Sequence, residues 1–242
     1  MKPLIVLTGA SRGLGLATAK KLLADGYRLA CFNRSCSDDL QSLIDENADD
    51  ISYTACDLGK PDSLDESQLT EWLPLDTPIA GFVNNAAQAY DDLVTNLQLE
   101  PLEAMFRTNV YSPMLLTKHV LRNFLLHRSA GSVVHISSIS AHTGYKGLAM
   151  YAATKAALEA FSKTTAREYG SRKIRSNCIV CGFMETEMSA GLSDDQRERI
   201  YRRTALQEAT NPDSVAATVS YLLSADSASI TGQNLFVDAG AI

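Results

Sequence analysis

Short apolar runs alternate along this chain with longer stretches whose apolar positions return every three or four residues. The runs at 4–8, 28–32, 51–55, 79–84, 132–137, 175–180 and 234–237 have the length and composition of strands. Between them, 14–25, 37–47, 63–72, 100–126, 150–169, 194–203 and 212–223 carry helical periodicity. Strand, helix, strand repetition demands right-handed crossovers and so a parallel sheet covered on both faces. The pattern predicts an α/β fold with one Rossmann-like, doubly wound parallel sheet flanked by helices, a single domain over 1–242.

Punctuation residues sharpen the boundaries. Pro212 suits a first helical turn, where its missing N–H costs nothing, with Asn211 or Asp213 as the cap; Gly26 suits the end of the first helix. Only 184–211, rich in charge and inserted between the last two strands, interrupts the alternation. Insertions after the carboxyl ends of strands cover the ligand crevice of an open α/β sheet, so this segment is expected to form a substrate lid. Its arginines, Arg197, Arg199, Arg202 and Arg203, suit either an anionic substrate or the solvated face of a helix.

Composition narrows the function classes. At 242 residues, 45% of them hydrophobic, the chain can build one substantial core. A formal charge of -6 argues against nucleic-acid partners, because binding a phosphate backbone needs surplus Lys and Arg. No apolar run approaches the roughly 20 residues that span a bilayer, and no signal-type segment precedes the first glycine loop. A cytoplasmic protein without a membrane partner is expected. The five cysteines are scattered and odd in number, which does not suit a disulfide framework. Cys178 and Cys181 have C-x-x-C spacing, but in a strand their Cα atoms lie about 10 Å apart on opposite faces, beyond disulfide reach. No Cys or His set has zinc spacing, so no metal is expected.

Thr8-Gly9-Ala10-Ser11-Arg12-Gly13-Leu14-Gly15 follows a predicted strand and opens a predicted helix. Glycines there let the backbone approach a pyrophosphate closely, and the helix N-terminus offers N–H groups and a favourable dipole. A dinucleotide is therefore expected against Gly9, Ser11, Arg12, Gly13, Leu14 and Gly15. The second strand ends in Asn33-Arg34 with no carboxylate to meet the ribose hydroxyls of NAD, whereas Arg34 and Arg12 could bind a 2′-phosphate. NADP(H) is favoured over NAD(H). Asp57-Leu58, after the third strand, suits the adenine amino group, and Asp57 equally suits a turn cap.

Tyr151 and Lys155 are four residues apart in a helical segment and so share a face. A neighbouring ammonium favours the phenolate and brings a phenol nearer the range useful for proton transfer. Ser138, at the end of the fifth strand, can hydrogen-bond a carbonyl or alcohol oxygen. With the glycine loop, Asn84-Asn85-Ala86, Asn109 and Thr186, these residues make the chain resemble the short-chain dehydrogenase/reductase family over essentially its whole length. The resemblance implies that Tyr151 exchanges a proton with the substrate oxygen, Ser138 positions that oxygen, and Lys155 lowers the tyrosine pKa and holds the nicotinamide ribose. It further implies that Asn109 keeps a water in a proton relay, that Asn85, Ala86, Gly182 and Met184 border the cofactor, and that Thr186 binds the carboxamide.

Within that family the chain looks most like the 3-oxoacyl-acyl-carrier-protein reductases. The likeness rests on its length, the runs Gly182-Phe-Met-Glu-Thr-Glu-Met188 and Leu192-Ser-Asp-Asp-Gln-Arg197, and the ending Ile230-Thr-Gly-Gln-x-x-x-Val-Asp238. It implies NADPH-dependent reduction of a 3-oxoacyl thioester by a homotetramer, in the setting of fatty acid biosynthesis, with Arg172 in a position that docks acyl carrier protein and Arg128 beside a second such position at Ser129. Ala87 and Ala239 stand where glycines are usual, and Cys181 stands where a proline is usual. Other carbonyl or secondary-alcohol substrates, and a non-catalytic dinucleotide-binding regulator, remain the alternatives.

Overall fold

The computed structural model describes residues 2–186 and 191–242. Its sheet joins β1 (Leu4–Thr8), β2 (Arg28–Asn33), β3 (Ile51–Ala55), β4 (Ile79–Asn84), β5 (Gly131–Ser138), β6 (Ile174–Cys181) and β7 (Asn234–Val237). Every pairing is parallel, in the order β3-β2-β1-β4-β5-β6-β7. The crossovers run through α1 (Gly13–Ala24), α2 (Asp38–Glu46), α3 (Glu66–Trp72), α4 (Leu99–Phe106), α5 (Ser112–His127), α6 (Ala149–Tyr169), α7 (Asp194–Tyr201) and α8 (Pro212–Leu223). The fold is the predicted doubly wound α/β domain.

The strands sort their side chains by parity. Ile5, Leu7, Leu29, Cys31, Val134, Ile136 and Ile179 face one core with α1, α2 and α8. Val6, Ala30, Phe32, Phe82 and Val133 face a second core, filled by Leu116, Val120 and Phe124 of α5. Burial on both faces is why these strands read as unbroken apolar runs. Helix ends follow the punctuation: Asn211 rather than Asp213 caps α8, Ser37 caps α2, and Gly26 (φ +86) leaves α1 in the left-handed region. Among the described residues no helix is long and apolar enough to cross a membrane.

The predicted helix at 100–126 is instead three pieces. Between α4 and α5 the chain widens into a π turn, Arg107–Tyr111. Pro113 gives the reason: proline has no N–H, and its ring collides with the carbonyl four residues back, here that of Asn109. The apolar period survives the widening, so periodicity alone does not reveal it. Ala239 also departs from expectation, holding φ +55, where a glycine would be unstrained; Asp238 steadies the turn by accepting from the N–H groups of Gly240, Ala241 and Ile242.

The strand order reverses between β1 and β4, and there the glycine loop folds back on itself. A Cβ on Gly15 would lie 1.8 Å from the Gly9 carbonyl oxygen. Gly15→Ala is expected to destabilise the protein by about 1–3 kcal/mol through overpacking and to abolish dinucleotide binding, as read by urea unfolding and by cofactor titration.

Candidate active site

Three strand ends and two helices converge at the switch point between β1 and β4, the place where open α/β sheets bind ligands. Thr8, last on β1, is fully buried and accepts the backbone N–H groups of Asn85 and Ala86, both at 3.1 Å. Asn85 returns its side-chain amide to the carbonyls of Thr8 and Gly9 at 3.0 Å. Its side chain thus holds the glycine loop, while Ala86 packs a Cα 2.9 Å from where a Cβ on Gly9 would stand. Asn33, at the end of β2, accepts from the N–H of Ala10 and so ties the loop on its other side.

The residues around this loop fit a dinucleotide. Arg12 occupies the cap position of α1 without a side-chain capping bond, leaving the first N–H groups of a 12-residue helix facing the loop. Leu14 is core, so its backbone alone can face a ligand. Gly13 (φ +51) lies opposite Thr186, whose Cγ2 is 3.5 Å from a Cβ built on that glycine. The side-chain nitrogen of Asn33 is buried and has no acceptor among the described residues. Arg34 is exposed beyond it. Asp57 accepts from the N–H of Gly59 at 3.0 Å and lies 3.8 Å from Lys60, so it serves its own turn, and Leu58 is buried with its carbonyl taken by Ser112. Gly182 is required by the close passage of β7: a Cβ there would meet the Cα of Asp238 at 2.7 Å. Met184 packs against the core. Glu187 and Met188, from the run after β6 and within the expected lid, lie outside the described residues.

Ser138, Tyr151 and Lys155 come together at the rim. Ser138 closes β5, caps the turn Ile139–Ala141 by accepting from the Ser140 N–H at 3.2 Å, and hydrogen-bonds Tyr151. Lys155 is 2% exposed, donates to the Ile136 carbonyl at 2.9 Å, and holds its Nζ 5.4 Å from the Tyr151 ring centroid. Burial pushes the lysine down to about 8. Burial also pushes the Tyr151 phenol far up; Cys181 and Asp91 push the same way, and the bond with Ser138 pulls it down by less. The net shift of Tyr151 is therefore upward, opposite in direction to the lowering that the resemblance implies for Lys155. The ammonium lies over the ring while its proton goes to a carbonyl, so desolvation decides the direction.

Asn109 sits in the π turn, fully buried, and spends its side chain on protein. It accepts from the Gln88 N–H at 2.9 Å and donates to the Gln88 carbonyl at 2.8 Å and to Thr154 at 3.1 Å. A water kept by Asn109 would therefore have to use the backbone carbonyl that Pro113 deprives of its i+4 partner. Sequence reasoning missed Gln88, Thr154 and Asp91. Thr154 could have been found from its place between Tyr151 and Lys155, but Gln88 acts through its backbone and carries no side-chain signal. Cys178 faces α6 and Cys181 the opposite core; both thiols are free, and burial pushes each up to about 12. Cys181 pairs with Ser138 on β5 and Val237 on β7, extending the ladder to a position where a proline would have no N–H to give. Among the described residues no group of three or more His, Cys, Asp and Glu is placed to hold a metal ion.

A crevice shaped for a dinucleotide, with a tyrosine and lysine at its rim able to move a proton, is the construction of an NAD(P)-dependent oxidoreductase. The family model described as enoyl-(acyl carrier protein) reductase matches residues 9–241. The chain belongs to the short-chain dehydrogenase/reductase family. It is 33% identical over 238 residues to a 3-oxoacyl-[acyl-carrier-protein] reductase of Chlamydia muridarum, covering 97% of this chain and 95% of that one. It is 34% identical over 244 residues to carbonyl reductase family member 4 of Danio rerio, covering 99% and 98%. Among solved structures, a variant of actinorhodin polyketide ketoreductase with NADPH superposes with a TM-score of 0.89 at 26% identity, covering 99% and 97%.

The buried ammonium gives a stability signature. Because the folded pKa of Lys155 lies near 8, below its ordinary 10.5, the folded state carries the full cost of the buried charge below pH 8. That cost fades as pH rises from 8 toward 10.5, where the unfolded chain holds the extra proton. Without cofactor, Lys155→Met is expected to be more stable than the parent chain at pH 7, with the gap narrowing by pH 9.5, as measured by urea unfolding.

Proposed function

We propose that this enzyme uses NADPH to reduce a 3-oxoacyl thioester to the 3-hydroxyacyl thioester. The observation that carries the reaction type is a phenol hydrogen-bonded to Ser138, with the Nζ of a buried lysine 5.4 Å from its ring centroid. NADPH supplies the hydride to the carbonyl carbon when bound. Negative charge then builds on the carbonyl oxygen; Ser138 donates a hydrogen bond to it and Tyr151 gives it a proton. Lys155 holds the ribose and replenishes the proton, with Asn109 keeping a water through its backbone. The N–H groups of the glycine loop bind the pyrophosphate, Thr186 takes the carboxamide, and Asn33, Asp57 and Leu58 border the adenosine. Arg34 and Arg12, both exposed, take the 2′-phosphate, which no carboxylate at the end of β2 opposes.

Curated relatives named as 3-oxoacyl-acyl-carrier-protein reductases support the substrate class. The segment 184–211 is the substrate lid, built on α7. Tyr201 donates to Glu185, Arg197 stands 3.4 Å from the same carboxylate, and the rings of Phe183 and Tyr201 are 6.2 Å apart, which ties α7 to the chain leaving β6. Arg202, at the end of α7, pairs with Glu198, so Arg197 and Arg202 both have acidic partners among the described residues.

Acyl carrier protein is the proposed carrier partner. Arg128 and Arg172 are exposed in adjoining loops joined by a bond from the Gly131 N–H to the Lys173 carbonyl. These loops precede β5 and β6, about 23 Å along the strand from Ser138. A carrier docked there serves the site of another subunit more readily than its own, which is consistent with a homotetramer.

Purified protein is expected to oxidise NADPH with a 3-oxoacyl thioester. Tyr151→Phe should lower kcat by about 10²–10⁴-fold while NADPH still binds by fluorescence titration. Turnover of free ketones or sugar derivatives without thioesters would replace the substrate class, and cofactor binding without any turnover would favour a regulator. In steady-state kinetics with each cofactor, Arg34→Ala should raise the KM for NADPH at least about tenfold, the loss of one charge-assisted pair, and leave that for NADH nearly unchanged.

A further inference from the structure

Tyr151, Lys155 and Glu159 recur at four-residue intervals and form one stripe along α6, yet the reaction uses only the first two. Glu159 is 6% exposed, and a carboxylate buried to that degree persists only where its oxygens are hydrogen-bonded. Its Oε1 accepts from Ser137 Oγ at 2.5 Å and from His142 Nε2 at 3.0 Å. Its Oε2 lies 2.9 Å from the same imidazole nitrogen and accepts from Asn234 Nδ2 of β7 at 2.6 Å. The imidazole, 27% exposed, leans edge-on against Phe236 with ring centroids 4.9 Å apart.

Ser137 and His142 bracket Ser138. Between them the chain makes the turn Ile139–Ala141, closed by the N–H groups of His142 and Thr143 on the Ile139 carbonyl at 2.9 and 3.0 Å. One carboxylate thus grips both ends of the segment that presents the Ser138 hydroxyl, and it does so from the helix that carries Tyr151. The distance between the serine and the tyrosine is fixed through this clasp as well as through the strand.

We propose that Glu159 is a positioning residue for the reaction, acting through Ser137 and His142 to hold Ser138 against Tyr151. This rests on the reading of Ser138 as the group that holds the substrate oxygen. His142 contributes a hydrogen-bond donor from the partly exposed side, so an amide at that position can replace it. The glycine loop follows β1, and none of the clasp's contacts involves it.

The test combines steady-state kinetics with amide hydrogen exchange on the intact protein. Glu159→Gln, which leaves a single acceptor oxygen, and His142→Ala, which removes a donor from the surface without opening the core, should each lower kcat about 10-fold or more with the KM for NADPH within about twofold of the parent, the loss of one charge-assisted hydrogen bond. His142→Gln should restore most of the loss. Exchange in residues 137–148 should quicken about tenfold or more in the two damaged variants and return in His142→Gln, with no change around the glycine loop, in keeping with local opening. Unchanged kcat and exchange in both variants would overturn the proposal, as would a loss of NADPH binding in step with kcat, which marks a general structural role. If the parent chain reduces no ketone, the proposed function fails, and the exchange pattern without substrate still decides whether the clasp exists.

Discussion

Parallel strands end with unpaired backbone groups, and where the strand order reverses no helix crosses to cover them. Thr8 answers that constraint at the junction of β1 and β4. One buried hydroxyl accepts two N–H groups from the chain leaving β4, and the Asn85 amide donates to the carbonyls of Thr8 and Gly9 at the end of β1. Leaving either set unmade in the interior would cost about 1–3 kcal/mol per group. Because both exits are tied to each other, the glycine loop is held open above the sheet and α1 starts where its N-terminus faces the crevice. Strand register then brings Ser138 and Asn33 to the rim, where the bond with Tyr151 and the Ala10 N–H hold them in turn.

The chemistry at the rim follows from the same burial. A lysine and a phenol are both placed where water is scarce, so each moves toward its neutral form: the lysine down to about 8 and the tyrosine upward. For a reductase this is coherent, since the phenol must arrive at the substrate with its proton. Oxidation of an alcohol would need the opposite, a phenolate, and would draw on the positive charge brought close by a bound cofactor. The upward shift keeps the proton on the phenol and also makes it the weaker donor, so it favours neither direction by itself.

Much of the fold was legible because it depends on periodicity and punctuation. All seven strands are where apolar runs predict them, and Gly26, Ser37 and Asn211 end or begin helices for local reasons. The Ser138, Tyr151 and Lys155 group was legible from spacing, since four residues on one helix fix a shared face. What was illegible depends on partners far apart in sequence. Glu159 meets Ser137, His142 and Asn234 across three different elements, and nothing in the local pattern of α6 marks it as different from a solvated glutamate. Gln88 binds Asn109 through its main chain, which any residue supplies. The direction of the Tyr151 shift was missed because it is decided by the depth of burial, a property of the assembled site and not of the Tyr-x-x-x-Lys spacing. The π turn had a visible cause in Pro113, but the surrounding apolar period hides it.

That turn has a consequence for how the helical layer is assembled. A π turn inserts one residue into the helical path and so rotates the segment after it relative to the one before. Met105 before it and Leu116, Val120 and Phe124 after it are all fully buried, so both segments still present a face to the core. Asn109 stands on that buried side, four residues after Met105, and the widened turn is where its side chain meets Gln88 and Thr154.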